Sequence, residues 1–182
     1  MKKKGLNKLT TMAVLIAVSI VLVWLVHFPI FPAVPFLEYD PADIPVLICG
    51  FAFGPIAGIA VTLAASLIQG LTVSASSGIY GIIMHCISTA ALVLISSLIY
   101  RRNRTKKGAV IGIICGVAAM VLVMIPANLY ITPVFMGCDR ALVVGLLPFI
   151  ILFNLIKAGV NGSVTFLIYK KISNLIHKFD GR

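Results

Sequence analysis

Long, predominantly apolar runs, closed off by basic clusters or proline turns, make up most of this chain and leave it little choice of solvent. They cover residues 9–28, 44–73, 79–100, 108–131 and 143–169. A helix of about 20 residues crosses the ~30 Å hydrocarbon core of a bilayer. Four of the runs therefore fit one crossing each, while 44–73 is too long for one ordinary span. Gly54-Pro55 interrupts it, which predicts two helices, 44–53 and 55–73. The basic residues test that division. They cluster as Lys2, Lys3, Lys4 and Lys8, then from Arg101 to Lys107, then as Lys170, Lys171, Lys178 and Arg182. Clusters flanking spans belong on the cytoplasmic side, so an even number of crossings must precede residue 101. Counting 44–73 as one crossing gives three; counting it as two gives four, and six in all. The expected fold is an all-α membrane protein of six transmembrane helices with both termini cytoplasmic. In this reading the Glu38–Asp43 and Asp139 loops are outside.

Composition agrees. Of 182 residues, 60% are hydrophobic and 11% charged, and mean hydropathy is +1.12, more apolar surface than a soluble domain of this size can bury. Residues 1–182 read as a single integral membrane domain with no room for a soluble one. No Gly-rich P-loop ending in Gly-Lys-Ser/Thr occurs, so energy must come from another protein or an ion gradient. The net charge of +10 is spent at span ends rather than on a nucleic-acid surface. Cys49, Cys86, Cys115 and Cys138 have neither metal-ligand nor disulfide spacing, and no metal or cofactor is expected. The first run is long enough to span and is followed by no small-residue cleavage site, so it reads as a retained helix.

The chemistry concentrates in the last run. Lys157 lies about thirteen residues from either end, roughly 20 Å from each edge, too far to snorkel. A lysine near the midplane costs on the order of 3 kcal/mol, so it must face the protein interior, a watery cavity or a ligand. Asn154, Lys157 and Asn161 are spaced i, i+3 and i+7 and share one helix face. Every acidic residue lies in a predicted loop or terminus. A ligand or backbone carbonyls are therefore the expected partners of Lys157, ahead of a carboxylate.

Other signals are weaker. His85, within the run at 79–100, suits a ligand donor, a proton site or a hydrogen-bonded packing residue. Asn128, near the end of the fifth predicted helix, must be paired with another helix or with a ligand, and Pro126 beside it is expected to kink that helix. Ala13-x-x-x-Ala17 and Gly54-x-x-x-Gly58 are small-residue patches for close helix approach. Three prolines, Pro29, Pro32 and Pro35, open an irregular loop, and Asp40-Pro41-Ala42-Asp43 offers a cap and first-turn negative charge to the next helix. An enzyme with His85 or Lys157 as base is disfavoured, because no nucleophile–base pair and no intramembrane acid is visible. A stand-alone secondary carrier would be expected to show inverted repeats, and none is seen.

With these residues in place the chain resembles the substrate-binding S components of energy-coupling factor (ECF) transporters, most closely the riboflavin-binding ones. The resemblance spans nearly the whole chain. It rests on Ala13-x-x-x-Ala17, Tyr39-Asp40-Pro41-Ala42-Asp43-Ile44-Pro45, Phe53-Gly54-Pro55-x-Ala57-Gly58, Asn128 to Pro133, and Phe153-Asn154-Leu155-Ile156-Lys157. It implies a multi-pass protein of the bacterial cell membrane that binds a vitamin from outside. Such a protein docks through the helix-1 alanines onto a transmembrane T component carrying two ABC-type ATPases, which alone use ATP. It implies that Asn128, Asn154 and Lys157 contact the vitamin under a lid formed by the loop after helix 1. Tyr39, Tyr80 and Phe36 are candidates to stack on the ligand, and Asn161 completes the polar stripe. There is one departure: where riboflavin binders carry a Gly followed by Ala-Asn, this chain reads Gly81-Ile82-Ile83-Met84-His85. His85 then stands where an Asn would meet the ligand. This leaves pyridoxine, hydroxymethylpyrimidine or thiamine, and a queuosine precursor open beside riboflavin.

Overall fold

The computed structural model describes residues 2–179, a bundle of six helices: α1 (Lys2–Leu25), α2 (Asp43–Phe53), α3 (Pro55–Leu71), α4 (Gly78–Arg102), α5 (Lys106–Met136) and α6 (Arg140–Phe179). Four are long and apolar enough to cross a membrane alone, over Gly5–Leu25, Ala75–Arg102, Lys106–Met136 and Arg140–Tyr169. The expectation of six full spans needs correcting at α2 and α3. These have 11 and 17 residues, or roughly 16 and 26 Å.

α2 is the centre of the bundle, packed on α1, α3, α4 and α6. Nine of its eleven residues are buried, which explains why it is apolar on every side rather than along one stripe. Gly54 turns the chain from α2 into α3 with φ +92°, a left-handed conformation suited to glycine. Gly58 packs back against Gly50, and a side chain on either would collide with Val93 of α4. The close approach of α2 and α3 at this corner is therefore shared with α4. A second small-residue seam lies between α4 and α5, where a Cβ on Gly112 or Gly116 would come within 2.7 Å of the Ser96 or Leu92 carbonyl. Among the described residues α1 packs chiefly on α2 and α3. Leu15 and Ser19 face inward, whereas Ala13 and Ala17 are exposed.

Several predicted ends move. α5 continues through Pro126 and Pro133 and stops at Gly137, which is left-handed (φ +63°). Pro133, beyond the run expected to end at residue 131, thus lies in the last turns of the helix, because helix packing outweighs the lost backbone bond. A 3-10 turn, Ala75–Ser77, precedes α4. The proline-rich loop contains a two-stranded antiparallel ribbon, β1 (Phe28–Pro29) with β2 (Glu38–Tyr39). His27 Nε2 lies 2.7 Å from Glu38 Oε2 at its edge. Val34 and Leu37 seat the loop in an apolar cluster with Val143, Ile150 and Phe153 of α6.

Candidate functional site

The brevity of α2 creates the site. Because α2 is about half a membrane span, the chain ahead of it dips into the bundle and carries two carboxylates with it. Asp40 and Asp43 are 3% and 0% exposed. Asp40 Oδ2 accepts from Lys157 Nζ at 2.8 Å, and both side chains are almost fully buried. This overturns the expectation that no acid reaches Lys157. Burial alone would push the Asp40 carboxyl up. The Lys157 charge beside it, aided by the Ala42 N–H, outweighs burial and holds it below the ordinary aspartate range. The pair is therefore ionic.

Asn161 fastens the same segment. Its Nδ2 donates to the Asp40 carbonyl at 2.9 Å and to Asp43 Oδ2 at 3.0 Å, and its Oδ1 accepts from Tyr39 Oη at 3.0 Å. Burial, with Asp40 nearby, raises the Tyr39 phenol, so it stays protonated and donates. Asp43 Oδ1 takes a 2.6 Å bond from Thr89 of α4. The Asp40–Asp43 turn was expected to cap α2, but α2 has no side-chain cap. Asp40 Oδ1 accepts from the Ala42 N–H instead, and Asp43 is spent on cross-helix bonds.

Beside this knot lies a cavity with about 870 Å³ of atom-free space, its open mouth included. The 36–40 segment, α3, α4, α5 and α6 all contribute to its walls. Asn128, Asn154, Lys157, His85 and Tyr80 line it together, so the structure gathers five of the seven candidates from three helices. Tyr39 and Asn161 stand outside the lining, bonded to each other. Asn128 Nδ2 donates to the Met124 carbonyl at 2.8 Å while its Oδ1 accepts from Thr132. Asn154 Nδ2 donates to the Ile150 carbonyl at 2.8 Å. Each Asn thus uses one amide proton to hold its own rotamer and presents the rest of a polar group to a buried wall. Phe36, Phe135 and Phe153, with Met84, Met120 and Met124, supply apolar and aromatic faces.

Two lining side chains carry polar atoms that are buried without a hydrogen-bond partner among the described residues, His85 Nε2 and Gln69 Oε1. His85 Nδ1 lies 2.7 Å from Ser66 Oγ, which fixes the ring. Gln69 Nε2 reaches Asp40 Oδ2 and Ser74 Oγ, both at 3.4 Å. Gln69 lies near the end of the run at 44–73 and was not singled out from the sequence. Its signal was a buried-type amide in an apolar run, the same signal that singled out Asn128. Asp40, Asp43 and Thr89 carried no such signal as site residues, since two of them sit in a loop-like motif. Orphaned buried donors and acceptors are costly, and these two belong to one cavity.

The model of the ECF transporter substrate-specific component matches residues 7–169. A riboflavin transporter of Staphylococcus aureus (strain TCH60), RibU, is 30% identical over 94% of this chain and 93% of its own length. The riboflavin transporter FmnP of Bacillus subtilis (strain 168) is 28% identical over 94% and 95% respectively. A solved S component of a bacterial ECF transporter superposes with a TM-score of 0.81 at 30% identity, covering 94% of this chain and 98% of that one. With a matching family model, a matching fold and four membrane-length helices, this multi-pass membrane protein belongs to the family of substrate-specific components of ECF transporters.

Proposed function

We propose that this chain is a riboflavin-uptake S component: it captures the vitamin from outside the cell and delivers it to a T component and two ABC-type ATPases. The observation that carries the reading is the convergence of Asn128, Asn154 and Lys157 on one aromatic-walled cavity. A flavin ring has carbonyl and imide groups along one edge and flat apolar faces. Amide and ammonium groups suit that edge, and phenyl rings and methionines suit the faces. The loop holding Phe36 to Asp40 closes the cavity, so its fastening to α6 through Lys157 and Asn161 makes it the lid. Lys157 then serves two masters, the lid carboxylate and the ligand.

The membrane arrangement follows from helix direction. Lys8, the Gly54 corner, Arg101 and Arg104 lie together at one end of the bundle, so α1 to α4 alternate in direction although α2 is short. The basic end is placed in the cytoplasm with both termini, and the cavity faces out. α1, peripheral and with Ala13 and Ala17 exposed, is the docking surface for the T component. No catalytic step is assigned to this chain.

Titration of the purified protein with riboflavin, followed by quenching of flavin fluorescence, tests the reading. A ligand of roughly 27 non-hydrogen atoms at about 0.3 kcal/mol each supplies about 8 kcal/mol, so Kd should be ~1 μM or tighter. Absence of quenching at 100 μM refutes riboflavin. His85 supports a second reading within the same family, because a ring nitrogen with an unpaired buried Nε2 also suits pyridoxine, hydroxymethylpyrimidine or thiamine, or a queuosine precursor. Competition of each against riboflavin decides between them.

A further inference from the structure

A second cavity opens at the opposite end of the bundle, between the start of α1, the α2–α3 corner and the end of α4, with about 760 Å³ of atom-free space including its mouth. Lys8, Arg101 and Arg104 line it, and no carboxylate does. Among the described residues the ion pairs are His27–Glu38 and Lys157–Asp40, so these three cations are not neutralised by a described acid. Lys8 Nζ is held 5.7 Å from the centroid of the Phe53 ring, an arrangement that positions the ammonium without cancelling its charge. α3 begins at the same place, with no side-chain cap and no acid in its first turn, while α2 and α4 end there, so the positive potential comes from the three side chains rather than from helix dipoles. Ser97, 1% exposed, also lines the cavity, and its Oγ has no hydrogen-bond partner among the described residues.

We propose that this cavity is a binding site for the headgroup phosphate of an anionic phospholipid. Three cations and a hydroxyl donor form a receptor for a phosphodiester. The surroundings select a phosphate that brings acyl chains. Ile56, in the cavity wall, is 82% exposed, and Leu9 and Leu98, one position from Lys8 and Ser97 in the chain, are 63% and 41% exposed. These side chains put the mouth of the cavity against the hydrocarbon of the bilayer, where the anion at hand is a phosphodiester that carries acyl chains. A scattered basic flank attracts anionic lipid only diffusely; here a concave wall gathers the charges. The site is independent of the vitamin cavity and of which vitamin fills it.

The test uses the full chain in a neutral detergent, with retained lipid counted by native mass spectrometry. Thermal stability is measured against phosphatidylglycerol, phosphatidylcholine or inorganic phosphate. One retained equivalent of phosphatidylglycerol is expected, with a stabilisation that phosphatidylcholine and inorganic phosphate do not match at equal concentration. The triple variant Lys8→Gln/Arg101→Gln/Arg104→Gln should weaken that binding roughly fivefold per cation, on the order of 100-fold in all, while leaving riboflavin titration unchanged. Equal effects of the two lipids, or an unaltered triple variant, overturn the proposal. Equal protection by inorganic phosphate reassigns the cavity to a free anion, and protection by a T component but by no lipid reassigns it to protein docking; either also overturns it. Because lipid retention and thermal stability are read without vitamin, failure here leaves the transport reading standing.

Discussion

Replacing Lys157 with methionine should leave Asp40 as a buried carboxylate without its cation, and the cost can be worked two ways. At 2.8 Å and an effective dielectric of about 20, the gross attraction is about 6 kcal/mol, offset by several kcal/mol of desolvation per ion. Removing one partner of such a pair typically costs about 3–5 kcal/mol. The second route sets a ceiling, because the stranded carboxyl can escape by protonation. Taking an aspartate from its ordinary range near 3.9 up to pH 7 costs about 4 kcal/mol, and about 1.5 kcal/mol at pH 5. The destabilisation of Lys157→Met should therefore be about 4 kcal/mol at pH 7 and shrink by about 1.4 kcal/mol per unit as pH falls. The wild type should be nearly flat over the same window, since its Asp40 is held low and titrates only below it. In a thermal melt in detergent the deficit corresponds to roughly 8–16 °C at pH 7 and about 3–6 °C at pH 5. The double variant Asp40→Asn/Lys157→Met, with no charge to strand, should recover most of the loss. A shift under about 3 °C at pH 7, a deficit independent of pH, or a double variant as weak as the single would refute the buried ion pair.

Asn161→Leu removes three bonds to the 39–43 segment. It should speed vitamin release at least tenfold in stopped-flow fluorescence; an unchanged off-rate would dissociate Asn161 from lid closure. Gly116→Val forces a side chain against the Leu92 carbonyl and should cost about 1–3 kcal/mol of stability, read as a lowered Tm without altered ligand stoichiometry. Ala13→Trp/Ala17→Trp, on an exposed face of α1, should leave riboflavin binding intact and abolish uptake in cells that supply the partner subunits. Uptake surviving in that variant moves the docking surface elsewhere. His85→Ala should change riboflavin affinity by roughly 5–30-fold, as for one hydrogen bond of about 1–2 kcal/mol, with a smaller effect on Tm than Lys157→Met.

The lid and the binding wall share side chains, which gives the site its coupling. Lys157 lines the cavity while holding Asp40, and Gln69 does the same from α3. A ligand that draws on either group therefore changes the strength with which the 36–43 segment is held down. His27 and Glu38 meet at the ribbon's edge about 30% exposed, where a surface ion pair contributes little. The fastening lies inside, on Lys157 and Asn161.

Much of this was legible in the chain because a bilayer admits so few solutions. Apolar runs of about 20 residues must be helices, and the basic clusters impose a parity that divides 44–73 at Gly54-Pro55. A lysine flanked by two asparagines on one face had to point inward, and Lys157, Asn154 and Asn161 do. The sequence could not say what they meet. Asp40 and Asp43 read as residues of an exterior loop because the register of a helix says nothing of the depth at which it starts. Only the packing of a half-length α2 among four neighbours carries them down beside Lys157. Likewise, Asn161 and Asn154 share a helix face, yet tertiary structure sends one to the lid backbone and the other to the cavity. The α4–α5 seam at Gly112 and Gly116 was missed, because a small-residue pair acquires meaning only when another backbone lies against it. Helix number and polarity are local, additive properties of a chain in lipid; partners across the bundle are set by where each helix begins and by what the neighbouring helices leave room for.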